Sequence, residues 1–149
     1  MPTDAAADPA NPTPKTRPRV LGGVAPYLNV EGALAAAALY GRAFGAETVF
    51  TYPPDDKGRS MHIHLVINGG SVMLSDFYPE YGHNPVPPQA ITLHMQLEEV
   101  DVWWDRAVAA GLTVVTPLQP MFWGERYGVL RDPYGVSWSM GGPLELPAG

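Results

Sequence analysis

The chain has 149 residues, 46% of them hydrophobic, with no cysteine and a net charge of −6. That length suits one domain with a real core, and the missing cysteine excludes disulfides, thiol catalysis and Cys-ligated metals. The acidic balance, 9 Lys+Arg against 15 Asp+Glu, excludes nucleic-acid binding as a main role, which needs positive charge to displace counterions. No apolar stretch is long enough to cross a bilayer, so no membrane partner is expected. Residues 1–19, dominated by Pro, Ala and small polar residues, lack the apolar run of a secretory signal and read as a disordered tail. Without a signal, the default compartment is the cytoplasm.

The elements follow in order. Residues 20–30 (VLGGVAPYLNV) read as a strand. Residues 31–44 read as an alanine-rich helix with Leu34, Ala38, Gly41 and Phe44 at helical spacing, closed by Gly45. Strands are expected at 46–52, 60–67 and 71–76, the last two joined by an Asn-Gly-Gly turn. A Pro-rich linker covers 77–89. The pattern then restarts: strand 90–97, helix 98–111 with Val100, Trp103, Trp104, Ala107 and Val108 on one stripe, strand 112–116, loop 117–124, strand 125–131, a DPYG turn, and strand 136–140. Residues 142–149 read as a C-terminal tail. Gly45 and Gly111 end the two helices, and Gly70 and Gly135 close the two hairpins. A spacing of about 65 residues between matched elements marks an internal duplication. Module one is 20–76 and module two 90–141, within one domain spanning 20–141.

Alternation sorts the strands into faces. Met61, Ile63, Leu65 and Ile67 share one face, and His62, His64 and Val66 the other. Ile91, Leu93, Met95 and Leu97 oppose Thr92, His94 and Gln96. Val136, Trp138 and Met140 oppose Ser137 and Ser139. The apolar faces belong under the two helices. The opposite faces could simply meet water. Yet they carry His, Gln, Ser and Thr with no full charge, which suits a wet cleft better than bulk solvent.

Three stretches, PYLNVEGALAAAALYGRAFGAE (26–47), MHIHLVINGGSVMLSD (61–76) and PMFWGERYGVLRDPYGVSW (120–138), resemble the vicinal oxygen chelate superfamily. That group holds glyoxalase I, bleomycin-resistance proteins and extradiol dioxygenases, and the resemblance is nearest to its PhnB-like branch. It implies an α+β fold of two βαβββ modules, forming a curved, mostly antiparallel sheet around a cavity. It also implies a homodimer, often completing the cavity across subunits. Metal-binding members draw one ligand from the first and last strand of each module. Aligned by strand motif, those positions hold Ala25, Leu74, Thr92 and Ser139. None is an imidazole or carboxylate, so the standard metal set is absent. A metal-free cavity binding a small organic molecule, as in bleomycin-resistance proteins, is the expected function.

The candidate ligand-binding residues are His62, His64, His94, Tyr27, Asn29, Gln96, Trp123, Tyr127 and Ser139. The competing reading places a divalent metal on His62, His64, His94 and Asp76 and makes the chain a metal-dependent lyase, isomerase or dioxygenase. A single histidine acting as general base lies between the two. A third alternative is a structural or regulatory dimer with a vestigial cavity. Tyr27 could equally pack structurally, and Trp123 could equally plug the core. One of Glu125 and Arg126 enters the site, since consecutive strand residues point to opposite faces. Trp103 and Trp104 read as core or dimer surface, and Trp138, on the apolar face of its strand, reads as core. Asp132 reads as a turn residue accepting backbone N–H bonds.

Overall fold

The computed structural model describes residues 18–144; most of the expected N-terminal tail, and 145–149, lie outside them. The elements are β1 (Tyr27–Asn29), α1 (Ala33–Phe44), β2 (Glu47–Thr51), β3 (Ile63–Ile67), β4 (Gly70–Ser75), a 3₁₀ turn (Pro79–Tyr81), β5 (Thr92–Gln96), α2 (Val100–Ala109), β6 (Thr113–Pro120), β7 (Glu125–Arg131) and β8 (Ser137–Pro143). They form two four-stranded mixed sheets, ordered β1-β4-β3-β2 and β5-β8-β7-β6. Each has one parallel pair, β1 with β4 and β5 with β8; the other pairs are antiparallel. The two modules therefore repeat one βαβββ topology, as the duplication implies. Among the described residues, no helix is long and apolar enough to cross a membrane.

The α1 stripe differs from the expected one. The buried residues are Ala33, Ala36, Ala37, Leu39, Tyr40, Ala43 and Phe44, while Ala38 is exposed and Leu34 only half-buried. In an alanine-rich helix nearly every phase looks apolar. The large side chains Tyr40 and Phe44 decide which face turns inward, because they bury the most area. They meet Trp138 of β8 at ring-centre distances of 5.2 and 4.6 Å, so a helix of module one packs on a strand of module two. The Tyr40 hydroxyl donates to Asp132 Oδ2 at 2.5 Å. Asp132 also accepts from the Trp138 indole N–H and from the backbone N–H groups of Tyr134 and Val136. The turn aspartate thus closes its own turn and joins the two modules.

Other differences are local. β1 is three residues rather than eleven. β6 runs through Pro120, where a loop is expected from 117, because register shifts let a Pro-containing strand keep pairing with β7. β8 runs past Met140 to Pro143. The first hairpin turns at Asn68 (φ 48°) and Gly69 (φ 80°), two left-handed residues that match a type I′ turn. Gly70 already belongs to β4. Gly69 and Gly135 are then 66 apart, the same interval as Gly45 and Gly111.

Candidate functional site

Register places the polar residues. In module two, His94 pairs with Ser139 and Gln96 with Gly141, while Tyr127 pairs with Gly141 and Val129 with Ser139. Paired residues share a sheet face. That face carries a continuous chain of hydrogen bonds. The Gln96 amide N–H donates to Glu125 Oε2 at 2.5 Å. Gln96 Oε1 lies 3.0 Å from His94 Nε2, and His94 Nδ1 lies 2.7 Å from Ser139 Oγ.

These partners set the imidazole's protons. A carboxylate accepts, so Gln96 turns its amide nitrogen to Glu125 and its oxygen to His94. An amide oxygen also only accepts, so His94 carries its proton on Nε2. In a neutral ring that leaves Nδ1 as an acceptor for the Ser139 hydroxyl. Gly141 lies beneath: a Cβ there would stand 3.1 Å from His94 Cε1 and 3.2 Å from Gln96 Oε1. Glycine lets the two side chains lie across β8. The Tyr127 ring stacks on His94 at 6.0 Å, Trp123 meets Tyr127 edge-on at 5.5 Å, and Phe122 meets Trp123 at 5.0 Å. Phe122 is 96% exposed and Trp123 47%, so Trp123 is not a core plug.

Glu125 belongs to this face, and Arg126 does not. Arg126 pairs instead with Asp101 of α2. Parity predicted that one of the two would enter, but only the pairing frame of β7 selects which. Glu125 is the one member of the chain that the sequence left undecided.

In module one, Tyr27 and Asn29 pair with Met73 and Ser75, and His64 with Met73. The Tyr27 hydroxyl lies 2.8 Å from His62 Nδ1 and 3.3 Å from the Met61 carbonyl. Burial pushes the Tyr27 hydroxyl's pKa up, with a hydrogen bond to Ser75 opposing. The His62 ring also meets Phe50 at 5.8 Å. Asn29 donates to Ser75 Oγ at 2.9 Å. His64 is different: it is 2% exposed and its Nε2 lies 2.7 Å from Ser71 Oγ. Ser71 Oγ accepts the Leu21 N–H, and the Ser71 N–H donates to the Leu21 carbonyl. The segment before β1 is thus tied down beside His64, which is buried rather than lining an open face. The nine candidates therefore fall into two sets, one on each sheet.

A family model described as the Glyoxalase/Bleomycin resistance protein/Dioxygenase superfamily matches residues 21–140. The chain belongs to this superfamily. The uncharacterized protein Mb0911c of Mycobacterium bovis is 39% identical over 127 residues, covering 81% of this chain and 83% of that protein. TioX from Micromonospora sp. ML1 superposes with a TM-score of 0.62 at 25% identity, covering 82% of this chain and 100% of TioX. The PhnB protein from Bacillus cereus does so with a TM-score of 0.59 at 25% identity, covering 80% and 98%.

For a member of the glyoxalase/bleomycin-resistance superfamily, the strand positions that hold metal elsewhere can now be read by face. Leu74 is fully buried among the core residues; the residue on the polar face is its neighbour Met73, paired with Tyr27. On β5 the residue beside Ser139 is His94 rather than Thr92. The resulting donors are one thioether, one imidazole and one hydroxyl, and the last two are bonded to each other. The alternative set does not assemble either. Asp76 is spent on backbone: Oδ1 accepts from Gly32 and Ala33 at the start of α1, and Oδ2 from Ser60. Among the described residues, no three His, Asp or Glu side chains converge as a metal site would require. These donors do not fit a divalent metal of the usual kind.

Proposed function

We propose that the chain is a metal-free, small-molecule-binding member of the superfamily, in its PhnB-like branch, working as a cytoplasmic homodimer. The supporting observation is the bonded chain Glu125–Gln96–His94–Ser139 beneath the Tyr127–Trp123 wall. It presents oriented polar groups beside aromatic faces, the composition that holds small organic ligands. The Tyr27–His62 pair on the other sheet supplies a second polar surface, and dimerisation brings one subunit's first-module face towards the partner's second-module face. A thermal-shift screen over acidic, aromatic and glycopeptide-like compounds tests this, because a bound ligand stabilises by mass action. At least one compound is expected to raise the melting temperature of the wild type and to lose most of that shift in His94→Ala. A panel with no shift, or shifts indifferent to His94→Ala and Tyr127→Leu, overturns the reading. Elemental analysis of untagged protein is the second check: a stoichiometric metal lost in His94→Ala would refute the metal-free part.

The same chain of bonds favours one further reading, in which His94 is a general base. For Nδ1 to take a proton from a bound compound, the Ser139 hydroxyl would first rotate off it, and the new ring N–H would then donate to Ser139 Oγ. Ser139 is 2% exposed, so the arrangement does not serve as a serine nucleophile. Turnover of any compound found in the screen, with a pH profile lost in His94→Ala, would support this reading.

A further inference from the structure

A cavity of about 410 Å³ lies away from the His94 chain, at the junction of β1, the Pro-rich linker and the β7–β8 turn. Of the nine candidate ligand residues it includes only Asn29. Four of its ten lining residues are prolines: Pro85, Pro87, Pro88 and Pro133. Proline carries no N–H, so these four residues offer no backbone donor. Asn29 commits an amide N–H to Ser75 and retains its carbonyl. The Val30 N–H is spent on the Ser75 carbonyl.

The one formal charge in the lining is Glu31. Among the described residues, no ion pair or hydrogen bond engages its carboxylate. Phe77 and Tyr134 supply aromatic surface, which attracts cations through the ring quadrupole. The Tyr134 hydroxyl has a raised pKa, from burial first and then from the Asp132 charge, with Arg42 opposing more weakly. A wall with four prolines, one unpaired carboxylate and two aromatic rings complements a donor that is positively charged and partly apolar.

We propose that this cavity binds a small organic ammonium ion carrying an aromatic or other apolar body. The ammonium pairs with Glu31, and the body lies against Phe77 and Tyr134. The site is separate from the sheet-face reading above and stands without it.

The test is an amide-resolved NMR titration with phenethylamine, matched against phenethyl alcohol and 3-phenylpropionate. Phenethylamine is expected to shift the amide signals of Glu31, Val86 and Tyr134 and to bind at least about tenfold more weakly to Glu31→Gln, the loss expected of one charge-assisted contact. Binding should also weaken with added salt. The alcohol and the carboxylate should bind no better to wild type than phenethylamine does to Glu31→Gln. Tyr134→Leu should weaken phenethylamine without restoring preference for the controls. His94→Ala should leave the titration unchanged, so failure here is distinguishable from failure on the sheet face. Equal affinity for the three compounds, no effect of Glu31→Gln, or shifts clustered at His94 and Tyr127 would each overturn the proposal.

Discussion

His94 is held at both nitrogens, and its two partners are not equivalent. Gln96 fixes the tautomer, while Ser139 occupies the remaining lone pair. Replacing Gln96 with Leu removes the acceptor for Nε2–H and uncouples Glu125. The expected outcome is a mixture of imidazole tautomers in long-range ¹H–¹⁵N spectra, where the wild type shows the Nε2–H form alone. Gly141→Ala should act on the same side chains from below. Its Cβ would stand 3.1–3.4 Å from three atoms of His94 and Gln96, tighter than ordinary contact. We expect the His94 ring signals to move, with a stability loss of about 1 kcal/mol or less, since both side chains are exposed and can shift. Unchanged ring signals would show that glycine is not what lets the chain of bonds lie flat.

Tyr40 carries a pH signature. Burial, and then the Asp132 charge, push its hydroxyl far above the ordinary value of 10.0. A raised folded-state value means the native protein keeps a proton that the unfolded chain releases. The contribution is fully present below about pH 10 and is lost as pH rises beyond it, at up to about 1.4 kcal/mol per pH unit for one proton. Urea unfolding between pH 9 and 11 should therefore show a shallower decline in Tyr40→Phe than in the wild type. At neutral pH the same variant should cost about 1–3 kcal/mol, because Asp132 loses a buried donor. Parallel pH slopes for the two proteins would contradict this assignment.

Between elements, two glycines set how closely helix and sheet approach. A Cβ on Gly128 of β7 would stand 2.6 Å from the Trp104 ring of α2 and 2.9 Å from Leu118 Cα of β6. A Cβ on Gly142 of β8 would collide with the Leu97 carbonyl and Val100. Alanine at either position should destabilise by about 1–3 kcal/mol, as expected of overpacking, measured as a lower urea midpoint with unchanged slope. Neither glycine stood out in the sequence, because a glycine inside a strand pattern does not reveal what approaches it. Gly45 was legible for the opposite reason: its role as a helix cap is local, and it takes the left-handed conformation (φ 65°) that a cap requires. The phase of α1 was not legible, since alanine satisfies both faces and only the partners of Tyr40 and Phe44 select one.

Across the whole molecule, the two polar faces lie on two separate sheets, while α1 and Trp138 knit the modules together on the core side. In the homodimer proposed above, a second copy of the chain would complete a cavity that uses both faces. Sedimentation is expected to give a dimer, and Phe122→Asp, at the 96% exposed tip of the β6–β7 hairpin, is expected to weaken it at least tenfold. A monomer at high micromolar concentration would remove the two-sided cavity and leave only the second-module face.

Strand alternation, two amphipathic helices and the glycine interval determined the duplicated βαβββ plan, because each is a local pattern repeated along one chain. The same parity assigned His62, His94, Gln96 and Ser139 to polar faces. Tertiary structure decided the rest. It buried His64 beside the segment that precedes β1, spent Asp76 on backbone amides, chose Glu125 over Arg126, and joined Tyr40 to Asp132 across 92 positions. Each of these depends on which residues the pairing frame and helix packing bring together, and sequence spacing within one strand or helix does not contain that information.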